Sequence, residues 1–223
     1  MDKKEIQKKR MMGYFIEAAN QIIENEGIEN VSIRKVADIA GYNSATLYNY
    51  FENLDHLVFF ACMKYLRGYV SSLPQYLHSI DDPIDKYLCI WKAFCYHSFE
   101  KPKIYHTIFF NKFSTSLDEA IKKYYDIFPE DLGSQSNDLL PMLLGDNIYE
   151  RNMAILKSCI DNKNIKNEYI EEMNEMNILI YQAMLSRVLN NQIEYTIDEA
   201  VTRTLQYMKQ SIISYINIDN LES

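Results

Sequence analysis

The chain is short of the residues that turn a backbone sharply. Its 223 residues include only 6 glycines and 5 prolines, too few for a collagen-like, glycine-rich or long-linker protein. Sandwiches and barrels need many tight turns, and the turn residues for them are missing. Long apolar runs are missing too. The longest, Leu57 to Met63, falls far short of the roughly 20 residues that a membrane span requires. The opening MDKKEIQKKR contains no apolar core of a signal peptide, so the expectation is a cytoplasmic protein with no membrane contact.

Chemistry-bearing patterns are equally scarce. The four cysteines, Cys62, Cys89, Cys95 and Cys159, form no CxxC pair and sit among apolar neighbours, which reads as free buried thiols. The histidines His56, His78, His97 and His106 show neither HExxH nor a ligand-like spacing with those cysteines, so no metal is proposed. GxGxxG, GxxxxGK[ST] and GxSxG are all absent. Glycines scattered at 13, 27, 41, 68, 133 and 145 cannot build a phosphate-cradling loop. The expectation is therefore no cofactor and no enzyme.

What the chain does hold is 48% hydrophobic residues, enough for a core, arranged at helical spacing. Residues 5–26 carry Ile6, Met12, Phe15, Ile16, Ala19, Ile22 and Ile23 on one face and stop at Gly27. Ser32 caps a short helix with Val36, Ala37 and Ala40 on its inner side, stopped by Gly41. Asn43 or Ser44 caps a third segment, SATLYNYF, and Asn53 a fourth over 53–73, with Pro74 near its end. Asp82-Pro83 starts a helix to about Phe99, and Pro102 starts another to Phe113. Ser116–Glu119 and Thr196–Glu199 read as capping boxes, and 129–145 as loop or broken helix. Helices near 146–162, 168–191 and 196–217 complete the chain. No segment alternates with period 2, so the fold is all-α, with nine or ten helices.

Charge is uneven. The whole chain carries −8, whereas residues 1–70 are balanced at nine basic and nine acidic, with +3 in the first ten. Only this end suits a polyanion. The basic tip (Lys3, Lys4, Lys8, Lys9, Arg10) reads either as an arm toward a groove or as a solvated, partly disordered end.

The two short helices around Gly41 make a helix-turn-helix candidate over about 32–51. In such a unit the first helix braces a second, whose N-terminus enters a DNA major groove about 12 Å wide. Asn43, Ser44, Ala45 and Thr46 supply small or polar side chains there. Tyr48, Asn49, Tyr50 and Asn53 offer donors to the backbone, and Arg34 and Lys35 reach for a guanine edge or a phosphate. By spacing, Val36, Ala40, Leu47 and Phe51 belong to the core, and Tyr48 is open to either reading.

The stretch Val31–Leu57, VSIRKVADIAGYNSATLYNYFENLDHL, resembles the TetR/AcrR family of bacterial transcriptional regulators. It matches the family's N-terminal pattern at Arg34, Ala37, Ala40, Gly41, Thr46, Leu47, Tyr48, Tyr50, Phe51 and Leu57. The resemblance implies a three-helix DNA-binding domain over 1–52 and a larger effector-binding and dimerisation bundle over 53–223, with 53–73 linking them. It further implies that Ser32 meets DNA backbone and Arg34 a base, that Ser44, Ala45 and Thr46 form the reading tip, and that Tyr48 and Tyr50 hold phosphates. Three positions depart from it. Ala45 stands where glycine is common, Tyr42 where valine is common, so that its hydroxyl must project outward toward DNA, and Leu54, followed by Asp55, where a phosphate-contacting lysine is usual. Losing one phosphate contact lowers the salt slope by roughly 0.9 per half-site.

Beyond residue 70 the resemblance fades. The aromatic material of the body, with Trp91, Phe94 and Phe109 and the polar handles His97, Tyr105 and His106, reads either as core or as a pocket for a small apolar or aromatic effector. The last two helices carry wide apolar surfaces: Ile170, Met173, Met176, Ile180, Met184 and Val188 on one, Ile197, Val201, Leu205, Met208, Ile212 and Tyr215 on the other. These serve either a broad internal face or, as preferred, a two-fold homodimer interface. The function expected is a ligand-responsive transcriptional regulator, a repressor bound to a palindromic operator as a dimer and released by a small effector. The alternative is a helical dimer that works through protein contacts with weak or lost operator recognition.

Overall fold

The computed structural model describes residues 2–114, 117–133, 136–160 and 166–222. Ser116, and with it one expected capping box, lies outside them. Among the described residues there are helices and turns and no strand, and no helix is long and apolar enough to cross a membrane. The chain is all-α, as its periodicity implies.

Among the described residues twelve α-helical segments follow one another: α1 (Lys3–Glu26), α2 (Ile33–Ala40), α3 (Ser44–Leu47), α4 (Leu54–Cys62), α5 (Leu66–Leu77), α6 (Pro83–Glu100), α7 (Pro102–Phe110), α8 (Leu117–Ile127), α9 (Leu140–Leu143), α10 (Ile148–Ile160), α11 (Asn167–Leu189) and α12 (Ile197–Glu222). Nine or ten become twelve because α9 is a single turn inside the expected 129–145 break, and because the 53–73 helix tightens into a 3-10 turn at Met63–Tyr65 between α4 and α5. Pro74 lies within α5, which runs on only to Leu77.

Two compact units result, one of residues 1–67 with 103–133, the other of residues 68–102 with 134–223. Compactness thus groups 53–67 and α7–α8 with the N-terminal helices, a division distinct from the 1–52 and 53–223 functional domains expected above.

In the first unit α1 lays Met12, Phe15, Ile16, Ala19, Ile22 and Ile23, all buried, against α2 and α4. Val36, Leu47, Phe51 and Leu57 meet them with at most 1% exposure, whereas Ala40 is only half-buried. The Phe51 ring stands edge-on to Phe15 and Phe60. Removing a ring from such a centre costs about 3–5 kcal/mol. The basic tip is helical from Lys3, because Asp2 caps it and Lys9 is ion-paired with Asp126 of α8. The tip is therefore helical and not extended.

In the second unit α6, α10, α11 and α12 pack together around Tyr87, Trp91, Phe94, Phe99 and Tyr181. Asp82 caps α6 with Pro83 in its first turn. The Thr196 hydroxyl accepts the Glu199 N–H, while the Glu199 carboxylate takes Arg203 instead of closing the box. Cys62, Cys95 and Cys159 are buried free thiols and Cys89 is half-buried; burial raises the pKa of all four.

Candidate nucleic-acid interface and effector cavity

The turn between α2 and α3 is built from one glycine. Gly41 adopts φ 74°, ψ 30°, a left-handed conformation that side chains resist. There the Tyr42 N–H bonds the Ala37 carbonyl at 3.0 Å and the Gly41 N–H the Asp38 carbonyl at 3.3 Å, which closes α2 as a Schellman motif. Two residues on, Asn43 caps α3 by accepting the Ala45 N–H at 2.9 Å. The helical path then tightens, with 3-10-type bonds from Asn49 to Thr46 and Tyr50 to Leu47, until Phe51 plugs into the core.

This turn sorts the side chains by face. Leu47 and Phe51 go inward; Asn43, Ala45, Tyr48 and Asn49 go outward, with Ser44, Thr46 and Tyr50 half-buried. Tyr48 is 54% exposed, which decides between its two readings in favour of the surface. Tyr42 is outward as well, and its ring stacks on Tyr14 of α1 with centroids 6.2 Å apart. Tyr14 could not have been found from spacing, because it sits on the polar side of α1. On α2, Ser32 caps the Lys35 N–H through a long 3.4 Å bond, and Arg34 and Lys35 are exposed. The Lys35 ammonium is paired with Glu26, leaving Arg34 the better placed of the two for a nucleic acid.

At the start of α4, Asn53 accepts the His56 N–H at 2.9 Å and the His56 ring accepts the Glu52 N–H at 3.1 Å. The His56 ring thus reaches back one residue beyond the cap, a variant of the capping box in which the N–H before Asn53 is held. Leu54 is half-buried, and Asp55, which would repel a phosphate, holds Lys112 at 2.9 Å. Lys112, in the segment after α7, thus offsets the Asp55 charge.

The six residues expected around an effector divide between the two units. Trp91 and Phe94 line a cavity in the second unit, together with Tyr69, Met142, three isoleucines, Arg151 and Asn152. His97 is off its wall, sharing a hydrogen bond with the Ser72 hydroxyl at 3.2 Å. Tyr105, His106 and Phe109 belong to the first unit, where Tyr105 donates to the Tyr65 carbonyl.

The cavity instead draws on α10. Asn152 accepts from the Tyr87 hydroxyl and the Trp91 Nε1–H, both at 2.9 Å, and donates to Asn174 at 2.9 Å; Asn177 donates to the Tyr87 hydroxyl. Arg151, 5% exposed, donates through Nη1 to the Leu143 carbonyl at 2.8 Å. Among the described residues, no group of His, Cys, Asp and Glu could hold a metal ion.

Residues 15–59 match the family model of the bacterial regulatory proteins of the tetR family. No curated protein matches the sequence. Among solved structures, the chain is similar to RolR in complex with resorcinol, with a TM-score of 0.59 and 15% identity over 91% of this chain and 89% of that one. It is similar also to Thermus thermophilus FadR, a TetR family transcriptional repressor in complex with lauroyl-CoA, with a TM-score of 0.59 and 13% identity over 90% of this chain and 94% of that one. At such identity these structures share the fold alone. Residues 15–59 thus form a helix-turn-helix segment that matches the tetR family model, on a chain that shares the all-helical fold of these structures along nine-tenths of its length.

Proposed function

We propose that the protein is a repressor that binds a palindromic operator as a homodimer and leaves it when a small effector enters the helical body. One observation carries the DNA half of this reading: α3 buries Leu47 and, with the turn that follows it, leaves Ala45, Tyr48 and Asn49 exposed beside the half-buried Thr46. An edge of a methyl, hydroxyls and an amide suits base and phosphate contacts in a major groove. Ser32, Arg34, Tyr42, Asn43, Ser44, Tyr50 and Asn53 flank it, with Lys35 beside them.

Dimerisation is assigned to α11 and α12. They pack along each other, yet Met176, Leu179, Tyr207 and Ile213 stay more than 40% exposed. Exposed apolar side chains of this size on paired terminal helices suit a two-fold four-helix contact. Two copies would set their α3 helices one DNA turn apart, about 34–36 Å. An effector releases DNA by preferring a different spacing, and only to the extent of that preference. The ligands in RolR and FadR support a small-molecule effector in this body.

Binding to duplex DNA from upstream of the protein's own gene, across a salt series, tests the reading. Wild type binds selectively; Thr46→Ala and Tyr48→Phe, both surface changes, each weaken it by about 1 kcal/mol or more without shifting the melting temperature. No selective binding at low salt would leave the protein a helical dimer acting through other proteins.

A further inference from the structure

We propose that the outer stripe of α1 is a second DNA contact, with Lys3 and Arg10 on phosphates and the Tyr14 hydroxyl beside them, gripping the sugar-phosphate backbone next to the groove that α3 enters. This rests on the DNA-binding reading above and names residues for it that lie outside the helix-turn-helix. The link between the two helices is aromatic. The Tyr14 and Tyr42 rings stack with centroids 6.2 Å apart and an interplanar angle of 23°, and Tyr42 directly precedes Asn43, the cap of α3. Tyr14 stays 48% and Tyr42 38% exposed, so both rings reach the surface at the start of α3.

Helical spacing extends this patch along α1. Lys3, Arg10 and Tyr14 stand at i, i+7 and i+11, on one stripe of the helix, and all three are exposed. Arg10 and Tyr14 line the same open groove. The stripe runs about 16 Å at a rise of about 1.5 Å per residue, on the order of five nucleotides of one strand. Glu17, exposed three residues past Tyr14 on the groove's wall, marks its limit. A carboxylate there repels phosphate, so the strand lies toward Arg10 and Lys3.

The charges of the first unit single out the same residues. Duplex binding neutralises phosphates with lysine and arginine, yet Lys9, Lys35, Lys64, Arg67, Lys103 and Lys112 are each ion-paired with a carboxylate. Lys3, Arg10 and Arg34 hold no ion pair among the described residues. Arg34 belongs to α2; the other two belong to the stripe. The guanidinium fork suits a phosphate, and a phenol hydroxyl donates to a neighbouring one without adding charge. Lys8 supplies the contrast. It is exposed on the same helix, but lies about 160° around the axis from Arg10.

The test uses the full-length protein, with duplex DNA from upstream of its own gene and an unrelated duplex as probes, across a salt series. Arg10→Gln and Lys3→Gln each lower the salt slope by about 0.9 per half-site and weaken both duplexes alike, since phosphates carry no sequence. Lys8→Gln, turned away from the stripe, leaves the slope unchanged. Tyr14→Phe, which keeps the ring on Tyr42, weakens binding by about fivefold at an unchanged slope. All four are surface changes, so the melting temperature stays at the wild-type value. Phosphate ethylation locates the contact: a phosphate whose ethylation blocks the wild type no longer matters to Arg10→Gln. Equal slopes for Arg10→Gln and Lys8→Gln would show that α1 acts through net charge and would overturn the contact. Wild-type binding by Tyr14→Phe would overturn the role of the hydroxyl. Selective binding that Arg10→Gln and Lys3→Gln leave intact would overturn the stripe and leave α3 as the reader, whereas no binding to either duplex at low salt would overturn the stripe together with the DNA reading on which it rests.

Discussion

In the helix-turn-helix module Asn43 and Asn53 lie at helix starts and hold them; in the helical body Asn152, Asn174 and Asn177 lie inside and are tied into one network. Asn43 and Asn53 each accept one backbone N–H at the start of a helix, at 2.9 Å, with the rest of the amide open to solvent or to a ligand. Asn152, Asn174 and Asn177 are buried, and with Tyr87 and Trp91 they form one connected set. The same side chain therefore carries different risks. At a surface cap, water replaces a lost partner. In a low-dielectric interior nothing does, and every orphaned neighbour adds its own desolvation cost.

The sharpest way to break this comparison is Asn152→Leu. The change keeps the branched shape of the side chain and removes the acceptor shared by Tyr87 and Trp91, leaving their donors and the Asn174 carbonyl oxygen stranded. At about 1–3 kcal/mol for each unsatisfied group, the loss should be on the order of 3 kcal/mol or more, read as the urea midpoint. Operator affinity per folded molecule should not change. A loss below about 1 kcal/mol would mean that the network is slack, or that water enters the cavity to replace it.

The contrast also explains what could be read from the sequence. Helix ends were legible at Ser32, Gly41, Asn43, Asn53 and Asp82-Pro83, because capping is local chemistry written within four residues. Val36, Leu47 and Phe51 followed from spacing. The body was legible only as helices. Trp91 and Phe94 line the cavity, while Tyr105, His106 and Phe109 belong to the other compact unit, a division at Pro102 that no local pattern marks. Arg151 and Asn152 went unnoticed although a signal exists: they stand between Ile148 and Ile155 at the positions where the inner stripe of α10 demands apolar residues. A polar pair on a buried register points to a partner or a ligand. Asn174 and Asn177 interrupt α11 in the same way. Lys112 beside Asp55 and Tyr14 beside Tyr42 had no such signal, being surface meetings made by tertiary packing.

A smaller effect sharpens the other side of the comparison. Asn43→Ala should cost about 1 kcal/mol, the ordinary worth of an N-cap, because α3 is only one turn long and Asn43 is exposed. Operator affinity should fall with it, since the cap sets the pitch at which Ala45 and Thr46 leave the core. Asn43→Ser, which also caps, should restore the stability; if it restores affinity equally, Asn43 positions α3 and makes no base contact of its own.

The smallest effect is in acid, and there the two regions behave alike for different structural reasons. His56 is half-buried, stacked on Phe113 and edge-on to Phe51 and Phe60. Burial lowers its pKa below the ordinary 6.5, Glu52 opposes this, and the charge of Lys123 adds to it. His97 in the body is likewise lowered by burial, against Glu100. In both cases the unfolded chain takes up a proton more readily than the folded one. The stabilising effect is therefore complete above pH 6.5 and is lost as pH falls below it. For His56 a specific bond goes as well, since a proton on Nδ1 expels the Glu52 N–H and unfastens the cap that joins α3 to α4. His56→Asn should flatten the drop in urea midpoint between pH 7.5 and 5.5 and, unlike a change at His97, should flatten the drop in operator affinity over the same interval. Equal effects of the two variants on DNA binding would show that acid acts on the fold as a whole and not on the reading module.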